Sequence, residues 1–388
     1  MFYSISRIAA ATFSLAAIIV CSPLEFGPSD LFQRANPTFT RGLNKHIFDP
    51  PASWASWRVV YHRAVQLNDG TLLSSWENYA PEPPLEAAPI WRSTDGGKTY
   101  ANFSQVKDQV NGWGMRYQPF LYVLPQAFAG LKAGDLLFAG NSVPSDLSKT
   151  KIDVYSSTDG GLTWSFLSSV ATGGRASASN GQTPIWEPFL QLYNGQIICF
   201  YSDQRDPKHG QKLTHQTTTD LKTWTANVDD VADPDYNARP GMTTVVQIGS
   251  GNWIMTYENC GPGNCQVHVK VASNPLIFGT ISGYPLQASD GTIPYGSPFV
   301  TWVYNGGVNG TLLVNGNSDS YLYTNTQLGV PGTPWERINA GTDQAYSRCL
   351  HPLGDYDSLI IAGAGNFQTG TYANNVTYSI VSLSGLGI

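Results

Sequence analysis

Ser93-Thr94-Asp95-Gly96-Gly97-Lys98-Thr99-Tyr100 returns as Ser157-Thr158-Asp159-Gly160-Gly161-Leu162-Thr163-Trp164, and once more, one residue shorter, as Thr218-Thr219-Asp220-Leu221-Lys222-Thr223-Trp224. These match the pattern Ser/Thr-x-Asp-x-Gly-x-Thr-Trp. In that pattern the Asp carboxylate accepts main-chain N–H groups of a tight turn, Gly supplies a positive φ, and the final aromatic packs beneath the hairpin. The motif is a folding device rather than a catalytic one. The three aspartates are spaced 64 and 61 residues apart, which suits one four-stranded blade with generous loops. A period of roughly 61 residues divides the chain beyond its leader into about six units. The C-terminal half has no strong copy, so its blades are inferred from length and strand-like runs. The expectation is an all-β, six-bladed β-propeller, built as one domain over residues 23–388.

The sequence around these boxes supports an all-β reading. Short runs rich in Val, Ile, Tyr, Thr and Trp are punctuated by Asn68-Asp69-Gly70, Asn194-Gly195 and Gly249-Ser250-Gly251-Asn252, which are hairpin turn signals. No amphipathic helix of three or more turns is legible after the N-terminal region. Only 13% of the 388 residues are charged, the net charge is −6 and the pI is near 5.5. No Lys/Arg cluster tracks a phosphate backbone, which argues against a nucleic-acid partner and for a neutral or weakly acidic ligand.

Residues Met1–Arg7 form a short basic segment and Ile8–Cys21 an apolar run, ended by Pro23 and too short to cross a bilayer. The segment over residues 1–22 reads as a cleaved signal peptide, so the protein is expected to be secreted, extracellular and monomeric, with no membrane association. Three N-x-S/T sequons, at Asn102, Asn309 and Asn375, fit that route. Cys21 would leave with the leader. Cys260 and Cys265 flank Gly-Pro-Gly-Asn, a turn that can bring them within disulfide range. No Cys or His pair sits at zinc spacing, and no metal or organic cofactor is implied. Cys199, inside Ile197-Ile-Cys-Phe-Tyr201, reads as a buried free thiol.

In a chain so poor in charge, segments that join ionisable groups to aromatic residues stand out. They are Tyr61-His62-Arg63, Trp76-Glu77-Asn78-Tyr79, Trp113-Gly-Met-Arg116-Tyr117-Gln118, Trp186-Glu187-Pro188, Asp203-Gln-Arg205-Asp206, Arg239-Pro-Gly-Met242, Tyr257-Glu258-Asn259 and Tyr346-Ser-Arg348. Glu187 and Glu258 each lie at the boundary of an apolar strand. Glycoside hydrolysis needs two carboxyl groups in different environments, one protonated and one ionised, and this pair can supply both. Equally, either Glu can tie down a loop through main-chain N–H groups. Arg63, Arg116, Arg205, Arg239 and Arg348 are available to hydrogen-bond sugar hydroxyls or to pair with neighbours such as Asp203. Trp113, Tyr117, Trp186, Tyr257 and Tyr346 offer stacking faces for a sugar ring or ordinary core packing. His62 and His215 read as hydrogen-bonding groups, His62 on the substrate side.

Along Tyr61–Gly70, Val110–Leu121, Trp186–Leu190, Tyr201–Leu213, Arg239–Met242 and Thr256–Glu258, the sequence resembles the fungal exo-arabinanases of glycoside hydrolase family 93. The resemblance implies a sialidase-like propeller and a retaining hydrolase that releases arabinobiose from linear α-1,5-arabinan. It implies Glu187 and Glu258 as the catalytic pair, with Glu187 as nucleophile and Glu258 as acid/base, and Tyr346 and Arg348 near the cleaved sugar. The segment Asn259-Cys-Gly-Pro-Gly-Asn-Cys265 departs from the Gly-rich, cysteine-free loop expected there. Two other readings compete. A sialidase would need three convergent arginines and lacks its early Arg-Ile-Pro segment here, while a non-catalytic glycan-binding propeller should repeat one site per blade.

Overall fold

The computed structural model describes residues 38–54, 57–367 and 374–388; the leader read over residues 1–22 lies outside the described residues. Six four-stranded antiparallel sheets follow one another along the chain. Blade 1 runs through Val59–Gln66, Leu72–Asn78, Ala88–Ser93 and Ala101–Val106, and blade 2 through Gly114–Val123, Leu136–Val143, Thr150–Ser157 and Ser165–Gly173. Blade 3 comprises Ile185–Tyr193, Gln196–Asp203, Lys212–Thr218 and Val228–Val231; blade 4 comprises Arg239–Gln247, Trp253–Cys260, Gln266–Ala272 and Tyr284–Pro285. Blade 5 is built from Phe299–Val303, Thr311–Asn315, Leu322–Asn325 and Glu336–Ile338. Blade 6 takes Cys349–Pro352, Ser358–Gly363 and Val376–Ser382 from the C-terminal end, and its outer strand, Gly42–Phe48, from the other end of the chain. That last strand pairs antiparallel with Val376–Ser382 and closes the ring. The pairing ties both ends of the chain into one blade, and the ring leaves each sheet only short, protected edges.

Stacking blades face to face buries both sides of their inner strands, so these strands lose the alternation of a half-exposed sheet. Leu136–Val143 is buried at every position, and Val59–Gln66 at every position but the last. Three short 3-10 turns are the only helical elements among the described residues.

The Asp boxes sit between the third and fourth strands of blades 1 to 3. Oδ1 of Asp95 accepts the N–H groups of Lys98 and Thr99, both at 3.0 Å, and its Oδ2 accepts the Thr99 hydroxyl at 2.6 Å. Asp159 repeats the arrangement. In the shortened third copy Leu221 takes the left-handed conformation, φ +59°, that Gly supplies elsewhere. Blade 5 holds a divergent version that the sequence pattern missed. Asn325 replaces the aspartate, its Oδ1 accepts the N–H groups of Gln327 and Gly329, and Thr333-Pro334-Trp335 ends the turn with a buried indole. Asn presents the same acceptor oxygen, so the turn survives the loss of charge.

A second repeat emerges only in three dimensions. Tyr61, Gln118, Glu187, Met242, Ser297 and Ser347 all have positive φ, between 37° and 61°. In blades 1 to 4 it lies in the first half of the inner strand, and in blades 5 and 6 two residues before that strand starts. In blades 1 to 4 the residue forms a bulge in the pairing with the second strand. A left-handed non-glycine residue costs about 1–2 kcal/mol, so six of them in register mark a shared constraint on one end of the ring.

Candidate active site

These bulges surround a cavity of about 350 Å³ lined by Trp57, Glu77, Tyr79, Tyr117, Gln118, Ala176, Ala178, Trp186, Glu187, Gln211, Arg239, Glu258, Cys260, Tyr346 and Phe367. Blades 1, 2, 3, 4 and 6 contribute, and the wall differs from blade to blade. This asymmetry argues for one pocket rather than a site repeated sixfold.

Glu187 is itself a bulge residue, φ +61°, so the bulge aims its side chain into the cavity. Its Oε2 accepts the Ser202 hydroxyl at 2.6 Å and the Met242 N–H at 2.8 Å. Glu258 lies two residues before the end of the second strand of blade 4, where its Oε2 accepts the Ser297 N–H at 2.6 Å. A Cβ placed on Gly241 would lie 3.4 Å from Glu258 Oε1, 3.6 Å from Glu187 Oε2 and 2.8 Å from Gln211 Nε2. The two carboxylate oxygens therefore lie within about 7 Å of each other, in the range over which carboxyl pairs act on glycosidic bonds. Glycine at position 241 keeps that space open.

The two groups differ electrostatically. Burial first and the nearby Glu187 charge second raise Glu258 to about 7 against the opposing Ser297 N–H and Arg239 charge. Burial raises Glu187 as well, but the Ser202 and Met242 hydrogen bonds and the charges of Arg239 and Arg63 act against it. Glu187 has more support for the ionised form and Glu258 more tendency to hold a proton. Arg239 is fixed by neutral partners, the Asn180, Gln204 and Gln211 side-chain carbonyls at 2.7, 3.0 and 2.7 Å. Its charge is thus left to act on the carboxylate pair.

A third carboxylate completes the floor. Glu77 accepts the Gln118 N–H at 3.0 Å and the Tyr79 hydroxyl at 2.7 Å, and burial pushes it up to about 7. The sequence reading singled out the segment Trp76-Glu77-Asn78-Tyr79 but assigned Glu77 no role in the site. The signal that could have found it is the repeated aromatic-Glu-Asn string, Trp76-Glu77-Asn78 and Tyr257-Glu258-Asn259. Tyr79 and Gln118 likewise stood in candidate segments without a role, whereas Trp57 and Phe367 were missed, and only the ring closure brings the four together. The indole of Trp57 lies 4.2 Å from the ring of Phe367, which in turn stacks on Tyr346 at 5.2 Å.

Of the residues read from the sequence, Glu187, Glu258, Tyr117, Trp186, Arg239 and Tyr346 line the cavity. The others lie outside it. His62 is buried between blades 1 and 6, its Nδ1 near the carbonyls of Gly363 and Thr377. Arg63 is buried behind Tyr61, spends its donors on Ser347 and the His62 carbonyl, and reaches the site only through its field. Trp113 sits in a turn capped by Asp108. Arg116 binds Glu82 and Glu86 and holds the 79–88 loop to blade 2. Arg205 and Asp203 pair with each other at 2.7 Å. Tyr257 precedes Glu258 on a strand, so it points to the opposite face and packs on His268. Arg348 is a buried clamp on main-chain carbonyls from Gly316 to Tyr321.

Cys260 and Cys265 form a disulfide, and Cys260 reaches the cavity wall; Cys199 and Cys349 are buried free thiols. Among the described residues no cluster of three or more His, Cys, Asp or Glu side chains is arranged to hold a metal ion, and no helix is long and apolar enough to cross a membrane.

No protein-family model matches the chain, and no curated protein does. Solved structures do. The α-L-arabinofuranosidase of Fusarium graminearum, in complex with an iminosugar inhibitor, is 44% identical with a TM-score of 0.87, covering 90% of this chain and 99% of that one. The α-L-arabinanase of Penicillium chrysogenum, in complex with arabinobiose, is 41% identical with a TM-score of 0.86, over 89% and 99% of the two chains. A Streptococcus pneumoniae sialidase, 11% identical with a TM-score of 0.55, shares the fold over 89% of this chain and 71% of its own. At this identity and coverage, with two carboxylates facing one cavity, the chain belongs to glycoside hydrolase family 93 and is a glycoside hydrolase on a sialidase-like six-bladed β-propeller.

Proposed function

We propose that the protein cleaves linear α-1,5-arabinan from a chain end, releases arabinobiose and retains anomeric configuration. The observation that carries this reading is the unequal setting of Glu187 and Glu258 on either side of Gly241. Glu187 attacks the anomeric carbon as the glycosidic C–O bond breaks, and the Glu258 proton passes to the departing oxygen. Glu258, now ionised, takes a proton from water, whose oxygen displaces Glu187 from the anomeric carbon. Support for the substrate comes from relatives: the Penicillium enzyme and a Fusarium family member are both described in complex with arabinobiose. The cavity size suits one or two sugar rings, as exo cleavage requires. Three glutamates and a single arginine line it, the reverse of the arginine triad a sialidase needs.

The test is a product profile from debranched linear arabinan, with NMR following the anomer first released. Arabinobiose as the dominant early product, in the α configuration, is expected. A folded protein that yields a ladder of longer oligosaccharides, the inverted anomer or no product would overturn the reading.

A further inference from the structure

A second concavity, of about 360 Å³, lies where the ring closes. Phe48 ends the closing strand of blade 6, Trp54 follows it, and Trp91 belongs to the third strand of blade 1. Phe48 is the hub of their ring contacts, at 5.6 Å from both Trp54 and Trp91. The two indoles are only half-buried, although both belong to the largest aromatic type. The rim carries the side-chain amides of Asn78, Asn102 and Gln105. A wall of indole faces with amides at its rim is chemistry for a sugar, whose C–H face stacks on aromatics while its polar groups find hydrogen bonds.

One rim residue identifies the occupant. Asn102 opens the sequon Asn102-Phe103-Ser104, is exposed on the outer strand of blade 1, and pairs directly across the ladder with Trp91. Directly paired residues hold their Cβ atoms about 5 Å apart on one face of the sheet. Among the described residues, the Asn102 amide makes no hydrogen bond. The sequon at Asn309 contrasts with it, because Nδ2 of Asn309 donates to the Thr326 carbonyl at 3.1 Å.

We infer that Asn102 carries an N-linked glycan whose first N-acetylglucosamine seats on Trp91 in this concavity and braces the seam between the closing strand and blade 1. In the transfer step Asn102 Nδ2 bonds to the anomeric carbon of a lipid-diphosphate-linked oligosaccharide. The sugar–phosphate bond breaks, the lipid diphosphate leaves with the bonding electrons, and the amide gives up one proton. The inference rests on the secretory reading of residues 1–22 and is independent of the catalytic one.

Two forms of the chain, one with its own leader and one behind a host leader, are expressed in a eukaryotic host that N-glycosylates secreted proteins, and their glycopeptides are mapped. Asn102 is expected to be occupied in both. Trimming to a single N-acetylglucosamine should leave Tm unchanged, whereas Asn102→Gln should lower it by about 2 °C and raise acrylamide quenching of tryptophan fluorescence. Trp91→Leu should erase the Tm difference between glycosylated and unglycosylated protein, the signature of a shared contact. An unmodified Asn102 in either form, or a Tm indifferent to the glycan, overturns the inference. So does arabino-oligosaccharide binding to unglycosylated protein that Trp91→Leu abolishes, since the concavity would then be a subsite for the polymer.

Discussion

Glu77 and Glu258 occupy the same position in blades 1 and 4, on opposite sides of the ring. Each pairs with the residue just before a bulge, Val60 and Gly241 respectively, and each accepts the N–H of the left-handed residue of the next blade, from Gln118 at 3.0 Å and from Ser297 at 2.6 Å. The Met242 bulge N–H goes to Glu187 in the same way. Three of the six left-handed residues therefore present main-chain donors that orient the three carboxylates, which links their conformational cost to the chemistry of the cavity.

The catalytic roles of the pair separate by leaving group. Glu258→Gln is expected to lower kcat/KM on arabinan by about 10³-fold yet largely spare kcat/KM on an aryl arabinoside with an acidic phenol, whose departure needs no proton, while kcat falls on both because the attacking water loses its base. Glu187→Gln should be inactive on both. Equal losses of kcat/KM by the Glu258 variant on the two substrates, measured by steady-state kinetics, would reverse the assignment.

Activity should fall on the alkaline side as Glu258 loses its proton. Burial raises that group to about 7, so kcat/KM is expected to decline above about pH 7. Glu77 titrates in the same range and shares the cavity, so the limb belongs to the coupled group rather than to one residue. A pH–rate profile checks this; a plateau extending past pH 9 contradicts it.

The same shift has a stability sign. Glu258 is raised from 4.5 to about 7, so the native state keeps a proton that the unfolded chain loses first. Its contribution is fully present below pH 4.5 and is lost as pH rises through about 7. Glu258→Gln, which cannot ionise, is expected to exceed the parent in Tm at pH 8 and to match it near pH 4.5. Thermal melts at both values decide the matter.

Arg239 and Arg348 should behave oppositely. Arg239→Met removes the cation facing both carboxylates, so the acidic limb of kcat/KM is expected to move up by about one pH unit with Tm little changed. Arg348→Ala leaves several buried carbonyls without their donor. It should cost about 3 kcal/mol of stability or more, while the folded fraction keeps its KM. Melting curves and kinetics on both variants separate field from scaffold.

Much of this protein was legible along the chain. The Asp boxes announced hairpins because each is a local device, in which one carboxylate satisfies N–H groups three or four residues away, and their spacing counted the blades. Glu187 and Glu258 stood out because charge on an apolar strand end is costly unless it is used. Only the tertiary structure decided which of their companions share the cavity. Strand alternation turned Tyr257 away from Glu258, and desolvated arginines such as Arg348 and Arg63 were claimed by loop carbonyls and Ser347. Glu77, 181 positions from Glu258, joined the site because ring closure sets blades 1 and 4 face to face across one channel, a relation that no local run of sequence encodes.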